Sequence, residues 1–481
     1  MFSSLFNKSR DKNPAPCWCA GLFVNSCCRR MEAALVAVHE WETGVHVEIG
    51  HGLSVDFPDS LHNDFAEQWQ PLLDGKRMKG GNDKGMAISG RVGLDSAKDA
   101  AVVSFRGMTP RLRQRSVLTD IQTEVVGELL SRDGIAPADL LAVGVYDPGV
   151  WFVGQPSGKE VAPSQRNGTA DIPDGPLSPV KPEYCEPLSD TVGLATRSGH
   201  NVVDAFPAMD VAVGGQGGPL LPLPYWVLLH SPERDRLVLD LGQEARFTFL
   251  PKSSSGKKSH IGYGFAGACG SLIDPIVRGL TNGEQSYDNG GCLAVQGTIL
   301  PELIALMKPW EGNEFLSTLS QWSPLAPLCA ADLVHAIHGQ VQRKNWSLSD
   351  VLATVVESVA LRIARFCPHQ TTRPSPPEWI IIGNGQRHNL MRKRLEQQLG
   401  FTEKHRIELP GLLPGYLDAA AIAVLTSLTV RQIPGNLPHL TGAESERVLG
   451  RIIPGSAENW QKLLQIMVDI PPAVRSLHST M

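Results

Sequence analysis

Residues 210–222 read Asp210-Val-Ala-Val-Gly-Gly-Gln-Gly-Gly-Pro-Leu-Leu-Pro222, and far downstream the chain reads Pro434-Gly-Asn-Leu-Pro-His-Leu-Thr-Gly-Ala443. Each segment packs glycine and proline around one or two amide or hydroxyl side chains. Glycine lets backbone N–H groups come close to a bound group, and proline holds a loop stiff. Taken alone, Gly214-Gly215-Gln216-Gly217-Gly218 is a tight turn in which the Gln216 amide can reach a sugar or a phosphate.

Downstream of the first loop, Leu237–Leu241 predicts a strand, Phe247–Leu250 its hairpin partner, and 251–260 a polar linker. Ser347–Phe366 is the clearest helix. Leu348, Val351, Leu352, Val355, Val356, Val359, Ile363 and Phe366 form one apolar face, Ser347 caps it with Asp350 three residues on, and Pro368 follows its end. Trp379–Ile382 predicts a buried strand, followed by Gly383-Asn384-Gly385 and a helix ending at Gly400. Leu417–Val430 is an alanine-rich helix whose small residues predict close packing between lobes.

Upstream, Leu35–Val38 and Val45–Ile49 predict a hairpin with Thr43-Gly44 between them, Ala101–Phe105 a third strand, 120–131 a helix and Leu140–Tyr146 a fourth strand. Strand, strand, strand, helix, strand is the order of a ribonuclease-H-like lobe. Residues 56–100 interrupt it as an insertion, and 154–183 form a long Pro/Gly/Ser-rich loop.

The 481 residues suffice for two lobes, and 42% hydrophobic with 19% charged content is ordinary for a soluble globular protein. A net charge of −5 provides no basic footprint for nucleic acid or an anionic membrane. No apolar run reaches the ~20 residues of a membrane helix. Cys17, Cys19, Cys27 and Cys28 crowd the start, but not at zinc-site spacing, so no metal is expected there. Residues 1–33 therefore read as a flexible tail with incidental thiols. Asp11 and Cys27-Cys28-Arg29-Arg30 argue against a cleaved signal, and a cytoplasmic protein is expected.

Together, and in this order, the two glycine-proline loops resemble signatures of the anhydro-N-acetylmuramic acid kinases, which are ATP-dependent sugar kinases. The resemblance spans roughly residues 140–460, with a weak extension back to residue 34. It implies an actin-like (ribonuclease-H-like), two-lobed α/β fold with a cleft between the lobes, ATP and Mg²⁺ as cofactors, and an amino sugar as the small-molecule partner. It implies no nucleic acid and no membrane, and leaves a homodimer open. Gly214, Gly215, Gln216 and Gly217 match the loop that lines the sugar side. Asp418 stands where the family has a sugar-contacting glutamate, although an Asp there also serves as a helix cap. Gly383, Asn384 and Gly385 match a nucleotide-facing turn, and Gly267 lies in another glycine turn. The resemblance divides the chain into a first lobe of 34–210 plus 431–481 and a second lobe of 211–430.

Other motifs depart from the family. Its first strand pair carries a phosphate-binding Ser/Thr/Gly turn. The segment aligned with it, His39-Glu40-Trp41-Glu42-Thr43-Gly44-Val45, keeps only Thr43 and Gly44 and adds two carboxylates that oppose a triphosphate. The family's Asn-Ile-Gly-Gly turn becomes Asp240-Leu241-Gly242-Gln243, and a Ser-His-Gly-Gln-Thr turn becomes Val145–Gly149. The family's catalytic base, an Asp that activates water against the anhydro bond, aligns with Phe265, which takes no proton. Loss of a general base is worth ~10²–10⁴-fold in rate. Asp210 and Asp418 are the leading substitute carboxylates, with Asp204 and Asp274 behind them. The expectation is a family member with weakened or lost catalysis. The alternative is a non-catalytic protein, a pseudokinase that binds a sugar, a nucleotide or a partner protein.

Overall fold

The computed structural model describes residues 17–25, 30–41, 44–58, 61, 108–147, 149–153, 182–252, 258–311, 328–367, 377–400, 406–407 and 415–469. A six-stranded mixed sheet and a four-stranded sheet organise them. The strands are β1 (Trp18–Val24), β2 (Arg30–Trp41), β3 (Gly44–Asp56), β4 (Leu140–Tyr146), β5 (Val150–Val153), β6 (Pro182–Glu186), β7 (Val202–Asp204), β8 (Arg236–Leu241), β9 (Glu244–Leu250), β10 (Gly262–Ala268), β11 (Glu378–Ile382) and β12 (Arg451–Ile453). The first sheet runs β12-β7-β4-β1-β2-β3, the second β10-β9-β8-β11, and β5 pairs with β6 alone. Six helices matter below: α1 (Met108–Asp133), α2 (Pro222–Leu229), α3 (Gly270–Leu280), α4 (Leu348–Phe366), α5 (Asn389–Leu399) and α6 (Leu417–Val430).

The tail reading of residues 1–33 fails beyond residue 17. All seven residues of Trp-Cys-Ala-Gly-Leu-Phe-Val are buried, and β1 lies inside the first sheet, antiparallel to β2 and parallel to β4. The apolar run Trp18–Val24 is a central strand, buried on both faces as such strands are. Cys19 is part of this core, and burial pushes its thiol up to about 12, so it is packing rather than reactive chemistry. The first three strands of the lobe are thus β1, β2 and β3. The expected strand at Ala101–Phe105 and nearly all of the 56–100 insertion lie outside the described residues, as do residues 154–181. The hairpin, the helix around 120–131 and the strand Leu140–Tyr146 form as expected.

One face of the second sheet carries Leu237, Leu239, Leu241, Phe247 and Phe249 against α3, α4 and the helices Pro301–Glu311 and Leu328–Lys344. Ser347 caps α4 by accepting the Asp350 N–H, and Val351, Leu352, Val355, Val356, Val359 and Ile363 are buried. Residues of the opposite face, Val238, Leu250, Ile380 and Ile382, join a core that also holds α6 and the first-sheet residues Cys19, Phe23, Ala34, Val36 and Ala142.

Helix α6 is therefore the layer between the sheets, with every residue from Leu417 to Val430 buried. Its alanines are explained by what lies beneath them. A Cβ at Gly21 on β1 would collide with the Ala419 carbonyl, and one at Gly144 on β4 with the Thr426 hydroxyl. Small residues on both sides let helix and sheet approach closely, and each large aliphatic of α6 adds roughly 1.5–3 kcal/mol by burial. Because α6 packs on β1, β2 and β4, its residues join the first sheet as well as the second lobe to which 211–430 were assigned.

Candidate functional site

The two glycine-proline loops meet. Asp210, fully buried at the end of a short helix (Phe206–Val211), accepts the Gly217 N–H at 2.9 Å and the Asn436 side-chain amide at 2.9 Å. The Gln216 N–H donates to the Thr441 carbonyl and the Glu444 N–H to the Val213 carbonyl, each at 2.9 Å. Gly214 and Gly217 hold φ of 80° and 78°, a region that glycine enters freely. Asp210 is thus committed to tying the loops together rather than to proton transfer. Asp204 is similarly engaged, by Thr191 and by both ends of the Arg451 guanidinium, and Asp274 accepts the Gln243 amide. Gln216 is half-buried beside Gly442.

Three residues past Pro222, the Tyr225 hydroxyl on α2 donates to Asp418, the second residue of α6. Arg246 on β9 donates to the Asp240 carboxylate on β8 and, at 3.3 Å, to Asp418. The side chains of Asp240, Asp418 and Arg246 are 8%, 10% and 15% exposed. Partly buried Glu32 on β2 feels both aspartates. The cluster therefore draws on both sheets and on the helix between them, at the polar end of an otherwise apolar layer.

Its electrostatics follow from burial and from three carboxylates near Arg246, with Arg30 also acting on Glu32. Burial pushes Asp240 up, Arg246 opposes, Asp418 adds to the rise, and the result is about 6. Burial, then Asp418 and Asp240, hold Glu32 well above the usual carboxylate range. Burial and the same aspartates hold the Tyr225 hydroxyl protonated, so it donates. Burial and the neighbouring Asp418 charge thus let Asp240 keep a proton where a free carboxylate would not.

Beside Asp240 lie the turns at the carboxyl ends of parallel β8 and β11, the place where open α/β sheets bind ligands. Gly383, with φ of 79°, closes on Leu241 and Gly242; a Cβ there would stand 2.7 Å from Asp240 Oδ1. The Gly270 N–H donates to the Gly242 carbonyl, and the Cys269 and Ser271 N–H groups to that of Gln243, joining the start of α3 to this turn. Asn384–Arg387 forms a single 3₁₀ turn, and His388 caps α5 by accepting the Met391 N–H. Asp418, Arg246, Asp240 and Gly383 thus form a continuous path from the expected sugar side to the expected nucleotide side.

Other expected site residues fall elsewhere. Gly267 lies against Arg362, which donates to the Ala266 carbonyl at 2.5 Å and the Trp310 carbonyl at 2.7 Å, so its open side faces the core. The segment His39–Val45 spans the β2–β3 turn, and the first strand pair is β1–β2. Glu32 marks the cluster end of β2; nine residues of extended chain, ~3.3 Å each, carry the turn ~30 Å away. Glu40 therefore stands near the end of β2 remote from the cluster, and Glu42 lies outside the described residues. Thr43 lies outside the described residues, and Gly44 opens β3. The turn at the cluster end is 25–29, of which 26–29 lie outside them.

Among the described residues no group of three or more His, Cys, Asp or Glu is placed to hold a metal ion. Mg²⁺ is usually bound by one or two carboxylates plus substrate phosphates, so it would enter with the nucleotide. No described helix is long and apolar enough to cross a membrane.

Sequence reasoning missed Asp240, Arg246, Tyr225 and Glu32. The available signal was Asp240 itself, a charge inside the apolar run Leu237-Val-Leu-Asp-Leu241, because a buried polar residue is the informative exception.

Two sheets with a buried helix layer between them define a two-lobed α/β protein. The sequence profile of the anhydro-N-acetylmuramic acid kinase family matches residues 180–455. An anhydro-N-acetylmuramic acid kinase of Picosynechococcus sp. is 32% identical over 262 residues, covering 54% of this chain and 68% of the relative. Those of Crocosphaera subtropica (32% over 282 residues; 56% and 72%) and Coxiella burnetii (30% over 285 residues; 57% and 70%) are similar. An activator of 2-hydroxyisocaproyl-CoA dehydratase from Clostridium difficile aligns over 84% of this chain and 94% of its own at 12% identity, with a TM-score of 0.35. The chain belongs to the anhydro-N-acetylmuramic acid kinase family.

Proposed function

We propose that this protein phosphorylates anhydro-N-acetylmuramic acid from ATP, in the recycling of cell-wall amino sugars, at a reduced rate. One observation carries this: Arg246 joins Asp418, the expected sugar-side carboxylate, to Asp240 beside the expected nucleotide-side turn. Phosphoryl transfer asks mainly for positioning and for electrostatic control between donor and acceptor, and the cluster occupies that interval. Gly214–Gly217 and Asp418 hold the sugar; Gly383–Gly385 and the Gly242–Gln243 turn hold the nucleotide. The reduced rate follows from the loss of the family's aligned Asp at position 265, which leaves proton transfer to a carboxylate placed elsewhere. The reaction is assigned to the cytoplasm, where ATP is supplied.

The test is calorimetry with Mg·ATP and with the anhydro sugar separately, followed by detection of sugar phosphate. Binding of both with slow product formation supports this reading. Sugar binding with no product selects the non-catalytic alternative, and binding of neither refutes the assignment.

A further inference from the structure

The register of the second sheet places the site in one row. Ile382 on β11 stands opposite Asp240, Asp240 opposite Arg246, and Arg246 opposite Phe265 on β10. Directly opposed residues project from the same face. Adjacent strands lie ~4.8 Å apart, so Asp240 sits about 10 Å from position 265 with the Arg246 guanidinium between them. Reading across the row, the acid missing at 265 has its counterpart at 240. There the family's Asn-Ile-Gly-Gly turn has become Asp240-Leu241-Gly242-Gln243.

A second observation favours a polar ligand at this row. Tyr263 precedes Phe265 by two residues on β10 and so projects from the same face. Its hydroxyl is enclosed and has no hydrogen-bond partner among the described residues. An enclosed hydroxyl left unpaired costs about 1–3 kcal/mol, which an arriving substrate oxygen would recover.

We propose that Asp240 is the proton-accepting catalytic residue of this enzyme, the base having moved two strands along the row from position 265. This rests on the proposed kinase reading. Water adds to the anomeric carbon of the anhydro sugar as its proton passes to the Asp240 carboxylate. The anomeric carbon–oxygen bond of the bridge breaks, and its electron pair stays on the bridge oxygen. That oxygen bonds to the γ-phosphorus of ATP, and the bond to ADP breaks. The proton then leaves Asp240 for solvent.

The surroundings suit the task. Arg246 orients the carboxylate, and Tyr225 and Tyr263 stay protonated. A carboxyl near 6 is a better base at neutral pH than an ordinary aspartate.

The experiment uses the full chain and its Asp240→Asn and Asp240→Glu variants. Phosphorylation of the anhydro sugar by Mg·ATP is followed from roughly pH 5 to 8, with Mg·ATP and sugar affinities measured separately by calorimetry. Asp240→Asn should lower kcat by ~10²–10⁴-fold, hold both affinities within about threefold, and abolish the acid limb. In the native protein that limb should fall near pH 6. Asp240→Glu should retain the acid limb with part of the rate. Turnover by Asp240→Asn within about threefold of native, or a loss explained by failed Mg·ATP binding, overturns the role of Asp240 alone. A native protein that makes no sugar phosphate overturns the kinase reading and this proposal together.

Discussion

Asp210 and Asp240 are both buried aspartates at the ends of short segments, and they do different things. Asp210 spends its carboxylate on a backbone N–H and a side-chain amide, both from glycine-proline loops. Asp240 shares a single guanidinium with Asp418 and lies within reach of Glu32's charge. Donors that carry no titratable proton make a carboxylate structural. A carboxylate that is buried, with a second carboxylate beside it, keeps a proton affinity near neutrality, as Asp240 does. The contrast separates the joint that holds the loops from the group that does chemistry.

The largest effect that could break this contrast is at Asp210. Asp210→Ala should destabilise the protein by about 3–6 kcal/mol, two charge-assisted hydrogen bonds at roughly 1.5–3 each. Denaturant unfolding measures it, and a loss under about 1 kcal/mol would mean the loops hold without Asp210.

Asp240 should behave in the opposite manner. Its folded pKa, about 6, is raised above the ordinary 3.8. Its contribution to stability is therefore fully present below the unfolded value and is lost as pH rises through about 6. Relative to Asp240→Asn, the native protein should lose on the order of 1–3 kcal/mol across that window. Urea unfolding at several pH values measures the difference, and a flat or rising one would show that Asp240 is held like Asp210.

Asn436→Ala removes one donor to Asp210 and should cost about 1–2 kcal/mol. In a double-mutant cycle with Asp210→Ala the two costs should not add, because they remove the same bond; strict additivity would separate the loops. The smallest effect belongs to Phe265→Asp. Alone it should change turnover by less than about threefold, because Arg246 is already paired with Asp240. A large gain would return the base to position 265.

Much of the second half was legible in the chain. The apolar face and caps of α4, the strand–glycine–helix junction at Ile382–Asn389 and the alanines of α6 each encode local structure, and each forms. The glycine-proline loops were legible as a pair because their composition is unusual, and they do touch. The first lobe was misread at its start. A short apolar run after basic residues looks alike whether it is a leader core or a strand buried on both faces, and only pairing with β2 and β4 decides. That error moved the phosphate turn to the wrong end of β2. The site cluster escaped for a different reason. Glu32, Tyr225, Asp240, Arg246 and Asp418 come from five separate elements, and nothing local in any of them marks the others.

The central claim is that a slowed kinase works through Asp240. The most direct measurement is the initial rate of Mg·ATP-dependent phosphorylation of the anhydro sugar by the native protein, beside the Picosynechococcus relative, from roughly pH 5 to 8. The account predicts sugar phosphate formed ~10²-fold or more slowly than by the relative. It also predicts a rate that declines as pH falls through about 6. No sugar phosphate at any pH, or a rate equal to the relative's with no decline toward low pH, would contradict it.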